Sequence, residues 1–118
     1  MIPFRFRHPF LWIGLLVVSL PLPAAPPSND RCNNAAVLFL DSLPLQEVGS
    51  TLEAGDHGRS VGCPAQAGGK DVVYQFSLTQ TTSLSISTDG SVFDTVLSVW
   101  SACSNGNLSG EVGCNDDF

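Results

Sequence analysis

Phe93-Asp94-Thr95-Val96-Leu97-Ser98-Val99-Trp100, followed by Cys103 and then Cys114-Asn115-Asp116-Asp117, decides how this chain folds. Phe93, Thr95, Leu97 and Val99 alternate with Asp94, Val96, Ser98 and Trp100, the period-2 pattern of a strand. The second face is itself partly apolar, which suits a central strand or a ligand-facing surface. Two cysteines bound a span of about a dozen residues, themselves included, and an acidic turn closes it. A strand, a staple and a turn in this order describe a β-module rather than a catalytic centre.

Working outward, the same signal recurs upstream. Residues 71–78 place Val72, Tyr74, Phe76 and Leu78 on one face. Residues 83–88 alternate Leu84 and Ile86 with Ser83, Ser85 and Ser87. Asp89-Gly90 is a turn between strands, and residues 111–114 start a last short strand. Residues 37–40 are an apolar run of strand length, and residues 43–51 read as a Pro-marked edge strand. Residues 54–70 form a long loop rich in glycine and small polar types, tied down at Cys63. Asn29 or Asp30 is placed to cap a helical turn through Cys32 and Ala36. Short strands at such spacing predict an antiparallel β-sandwich, with Tyr74, Phe76, Leu84, Ile86, Phe93 and Leu97 as its core.

The first 25 residues read as an export signal. Arg5 and Arg7 precede an apolar helix core that begins at Leu11, and Ala24 and Ala25 offer a cleavage site. The core is short for a stable membrane span, which takes about 20 apolar residues. The domain is then residues 26–118. There Arg31, Arg59 and Lys70 stand against eleven Asp and Glu, a net of −8. With no basic patch, nucleic acid is excluded as a partner, and anionic membrane surfaces are disfavoured.

All four cysteines, Cys32, Cys63, Cys103 and Cys114, follow the signal. In a short exported chain an even count reads as two disulfides. Three pairings exist, and the reading favours Cys32–Cys63 with Cys103–Cys114. The second would close a small loop, for which chain entropy gives about 3 kcal/mol. Zinc is disfavoured, since no two cysteines lie two to four residues apart.

Three further patterns bear on chemistry. Gly58-Arg59-Ser60-Val61-Gly62 has the form of a nucleophile elbow, but its flanks read as loop and no histidine follows Ser60. No catalytic residue is expected. Asn115, Asp116 and Asp117, joined by Asp94 or Asp89, form a candidate calcium site, because calcium takes six to eight oxygens from such side chains. Asx turns account for the same residues without a metal. Asn107-Leu108-Ser109 has the form of an N-glycosylation sequon.

Several pieces, taken in order, resemble one family. They are Asn29-Asp30-Arg31-Cys32-Asn33-Asn34-Ala35, Asp71-Val72-Val73-Tyr74-Gln75-Phe76, Ser85-Ile86-Ser87-Thr88, residues 93–99 and Cys114-Asn115-Asp116-Asp117. Together, over residues 29–117, they are similar to the bacterial pre-peptidase C-terminal domain. The resemblance implies an all-β, antiparallel, jelly-roll-like β-sandwich after the signal helix. It implies a secreted, non-catalytic accessory or adhesion module, attached to extracellular peptidases or large surface proteins. Its partners would be neighbouring domains or extracellular polymers, with calcium-dependent binding as the alternative. Relatives continue past the acidic turn with further strands, so the chain is expected to be a fragment lacking its last strands.

Overall fold

A computed structural model of the chain describes residues 21–63 and 69–116. The expected export signal, residues 1–25, lies outside these residues up to position 20, and Asp117 lies outside them at the other end. The described part is β-rich. Its elements are a 3-10 turn (Cys32–Asn34), β1 (Ala36–Val37), β2 (Tyr74–Gln75), β3 (Leu97–Ser104) and β4 (Asn107–Asn115).

The helical turn forms where it was expected, but its cap does not. Arg31 holds the N-cap position with extended backbone and makes no side-chain cap bond. Asn29 and Asp30 are used elsewhere: the Asn29 amide donates to the Val73 carbonyl (3.2 Å), and Asp30 accepts the Gly55 N–H (2.6 Å). A one-turn helix offers few orphan N–H groups, whereas a loop N–H with no ladder needs an acceptor.

β1 and β2 pair in parallel, with Ala36 opposite Tyr74 and Val37 opposite Gln75. The expected all-antiparallel arrangement is corrected here. Parallel neighbours need a long crossover, and residues 38–73 supply one. The flanking bonds Val73 N–H to Asn29 O (2.8 Å) and Leu38 N–H to Gln75 O (2.7 Å) extend the contact beyond the ladder. The other expected strands are cut back. Residues 43–51 and 83–88 join no ladder, and of residues 71–78 only Tyr74 and Gln75 do.

β3 and β4 form an antiparallel hairpin closed at Asn105-Gly106, with Ser104 opposite Asn107. Both turn residues have positive φ, 51° and 78°, as a type I′ turn requires; its twist matches that of the flanking strands. This turn sets the register. It moves the expected strand from 93–100 to Leu97–Ser104 and lengthens the last one to Asn107–Asn115. The register slips between Val99 and Trp100: Trp100 faces Glu111, but Val99 faces Gly113. Val112 is therefore an extra residue on β4, and one pleat is absorbed.

The two disulfides join Cys32 to Cys103 and Cys63 to Cys114, each with Cα atoms 5.9 Å apart. The expected pairing is overturned. Cys114 faces Ser98, and Cys103 lies five residues further along β3. That is roughly 16 Å of strand, against a reach of about 7 Å between bridged Cα atoms. The hairpin is thus bonded twice to the N-terminal half and not to itself.

Apolar burial is slight among the described residues. Cys32 and Ala54 are the buried apolar ones, and Ser60 the buried polar one. The expected core does not close: Ile86 is 46% exposed and Phe93 54%, while Tyr74, Phe76, Leu84 and Leu97 are half-buried. Cross-links and hydrogen bonds therefore carry more of the organisation than apolar packing does.

Candidate functional site

Residues 55–63 carry the imidazole, the hydroxyl and the backbone donors that a site would draw on. They form no helix or strand. Their position is fixed instead by three carboxylates that come from distant parts of the chain.

Asp30 and Asp71 hold the first half. Asp71 Oδ2 accepts the N–H groups of His57 (2.6 Å) and Gly58 (2.9 Å). The Asp71 N–H returns a bond to the Gly55 carbonyl (3.0 Å). Asp71 Oδ1 is buried and has no hydrogen-bond partner among the described residues. Asp30 accepts the Gly55 N–H through Oδ1, and its Oδ2 lies 3.1 Å from His57 Nε2. The Gly55 N–H, foremost, and then the His57 ring hold the Asp30 carboxyl below its ordinary value against the opposing effect of burial. An ionised carboxylate has no hydrogen to give, so His57 Nε2 is the donor in this pair. A Cβ at Gly55 would run into the His57 ring, so a larger residue there would displace the imidazole.

Glu111 holds the second half. Its Oε1 accepts the Ser60 hydroxyl, and its Oε2 accepts the N–H groups of Val61 (2.8 Å) and Gly62 (3.1 Å). Ser60 Oγ in turn accepts the Cys63 N–H (2.9 Å). The Ser60 hydroxyl, and after it the two backbone donors, hold the Glu111 carboxyl below its ordinary value. The Cys63–Cys114 bond joins the same loop to the same strand. In a regular strand, residues three apart point to opposite faces. The extra Val112 removes that conflict, so Glu111 and Cys114 both serve residues 60–63.

This geometry bears on the Gly-x-Ser-x-Gly pattern. Ser60 sits in a loop rather than on a strand-to-helix elbow, and its proton is directed at Glu111. His57 directs Nε2 at Asp30. Serine and histidine, two of the residue types of a hydrolytic triad, are each engaged with a different acid.

The expected calcium donors are only partly described. Asp94 and Asp116 are exposed. Asp117 lies outside the described residues. Asp89 and Asn115 line one shallow hollow with Ile86, Thr88, Thr95 and Leu97. Among the described residues no group of three or more His, Cys, Asp or Glu converges as metal ligands. Tyr74 and Trp100 are half-buried, and the Trp100 indole N–H donates to Ser98 Oγ (2.9 Å). Among the described residues no helix is long and apolar enough to cross a membrane.

Sequence reasoning missed Asp30, Asp71 and Glu111 as anchors. Their partners lie between 13 and 51 residues away, so no local spacing announces them. No family model, no curated protein and no solved structure matches this chain.

Proposed function

We propose that this chain is an exported, disulfide-stapled β-sandwich module of the pre-peptidase C-terminal type, and that it attaches or positions a larger extracellular protein without catalysing a reaction. One observation carries the reading: Ser60, His57, Asp30, Asp71 and Glu111, the side chains with chemistry to offer, are engaged in holding one loop in place. Two disulfides suit an oxidising compartment. The residue patterns described above supply the family and the sandwich.

The test is co-sedimentation of the oxidised protein with insoluble extracellular polymers such as peptidoglycan, chitin and collagen, with calcium and with chelator. The expected result is retention on at least one polymer, lost on reduction. Failure to sediment with any of them ends the adhesion version. Retention that chelator abolishes replaces it with the calcium-dependent version. Ester or peptide hydrolysis that disappears in Ser60→Ala overturns the non-catalytic reading outright.

A further inference from the structure

The longest stretch of the chain without a charge, a glycine or a proline is residues 72–88, Val-Val-Tyr-Gln-Phe-Ser-Leu-Thr-Gln-Thr-Thr-Ser-Leu-Ser-Ile-Ser-Thr. Its composition of β-branched, aromatic and hydroxyl residues is that of strand. Yet only Tyr74 and Gln75 enter a ladder, and residues 76–96 enter none. The second half of the run is also accessible. Ser83, Ser85 and Ser87 are exposed, and Ile86 is 46% exposed. One end is steadied by the contact between the Thr88 and Thr95 hydroxyls (2.6 Å).

An accessible, strand-patterned segment outside any ladder is a template for pairing with another chain. Charge and symmetry select which chain. Residues 26–118 carry a net of −8, so two copies repel wherever acidic surfaces meet. Residues 72–88 are one of two long stretches, with 95–110, where copies can approach with no like charges opposed, and the one of the two that stays outside the β3–β4 hairpin. An antiparallel two-fold axis through Ser85 sets Leu84 against Ile86, Ser83 against Ser87 and Thr82 against Thr88. Apolar then meets apolar and hydroxyl meets hydroxyl on each face, the favourable cross-strand pairs of an antiparallel ladder. The contact is self-complementary, as a two-fold dimer requires.

We propose that residues 82–88 are a self-pairing strand, and that two copies of this chain join antiparallel along about 20 Å of it. The inference stands apart from the attachment function and does not need it.

Sedimentation velocity of the oxidised full chain, from micromolar to submillimolar concentration, tests this. The expected result is a concentration-dependent monomer–dimer shift that added salt strengthens, since salt screens the acidic repulsion. Ser85→Pro removes the N–H at the axis, and Ile86→Lys opposes two like charges to the apolar pairs. Each is expected to weaken dimerisation about tenfold or more while keeping the Cys32–Cys103 and Cys63–Cys114 pairing. Hydrogen exchange of the unaltered protein gives an independent readout: amides of residues 82–88 gain protection at high concentration only. A monomer at every concentration and salt, dimers indifferent to both variants, or new protection confined to other residues overturns the proposal. If either variant loses its disulfide pairing, the exchange pattern of the unaltered protein decides.

Discussion

Residues 55–63 and residues 76–96 are both long stretches without a ladder, and they are held in opposite ways. The first has the composition of a loop, glycine and small polar residues with no period. Even so, the N–H groups of Gly55, His57, Gly58, Val61, Gly62 and Cys63 each land on a named side-chain acceptor. The second has a clear alternating pattern, but its apolar side chains range from half-buried to almost fully exposed. Alternation prepares a strand to be buried against something; it supplies no partner. Acceptors placed by distant elements fix a backbone that has no pattern at all.

The largest effect expected is on what holds the first region. Opening Cys32–Cys103 or Cys63–Cys114 by paired Cys→Ala changes removes cross-links spanning 71 and 51 residues. The chain-entropy model assigns each about 4 kcal/mol, a large share of a small domain's stability. Thermal unfolding with and without reductant measures it. If hydrogen exchange after reduction leaves residues 55–63 slower than 76–96, the carboxylates alone sustain the contrast.

Asp71→Ala comes next. It strips two N–H groups of their acceptor and is expected to cost about 2 kcal/mol, read by denaturant unfolding. Asp71→Asn keeps a carbonyl acceptor and is expected to lose less.

Acid should erase the contrast more gently. Asp30 and Glu111 both sit below their ordinary values of 3.8 and 4.5. A lowered native pKa means that the unfolded chain binds protons first as pH falls. Their contribution is full above the ordinary values, shrinks as pH drops past them, and is gone once the native carboxyls are protonated. A thermal-unfolding series from neutral into strong acid should show this decline, and Glu111→Gln should flatten the part due to Glu111.

The smallest effect belongs to the second region. In dilute monomer, Ser85→Pro removes an N–H from a segment outside any ladder and is expected to shift stability by no more than about 0.5 kcal/mol. A larger loss would show that residues 83–88 are already paired in the monomer and would break the comparison.

The legible part of the fold was what repeats locally. The β content, the turn at Cys32, the loop fixed at Cys63 and the presence of a strand near Leu97 followed from period, turn residues and cysteine count. Three things did not. The hairpin register depended on Asn105-Gly106, whose turn chemistry outweighed the alternation that began at Phe93. The disulfide pairing depended on that register, which carries Cys103 and Cys114 apart along the hairpin. The parallel pairing of β1 with β2 joins Ala36 to Tyr74 across the long connection, which no local period announces. The anchoring carboxylates were hidden for the same reason: an acidic side chain in sequence says nothing of which N–H it will meet.

The crossed order of the disulfides, first cysteine to third and second to fourth, has one more consequence. Cut the backbone once anywhere between Cys32 and Cys114, and a disulfide still spans the break. The nicked molecule gains the mass of one water and stays in one piece. With neighbours paired instead, a cut between Cys63 and Cys103 would release two halves. Wherever peptidases are common, this connectivity turns a first cleavage from a loss of the molecule into a wound it survives.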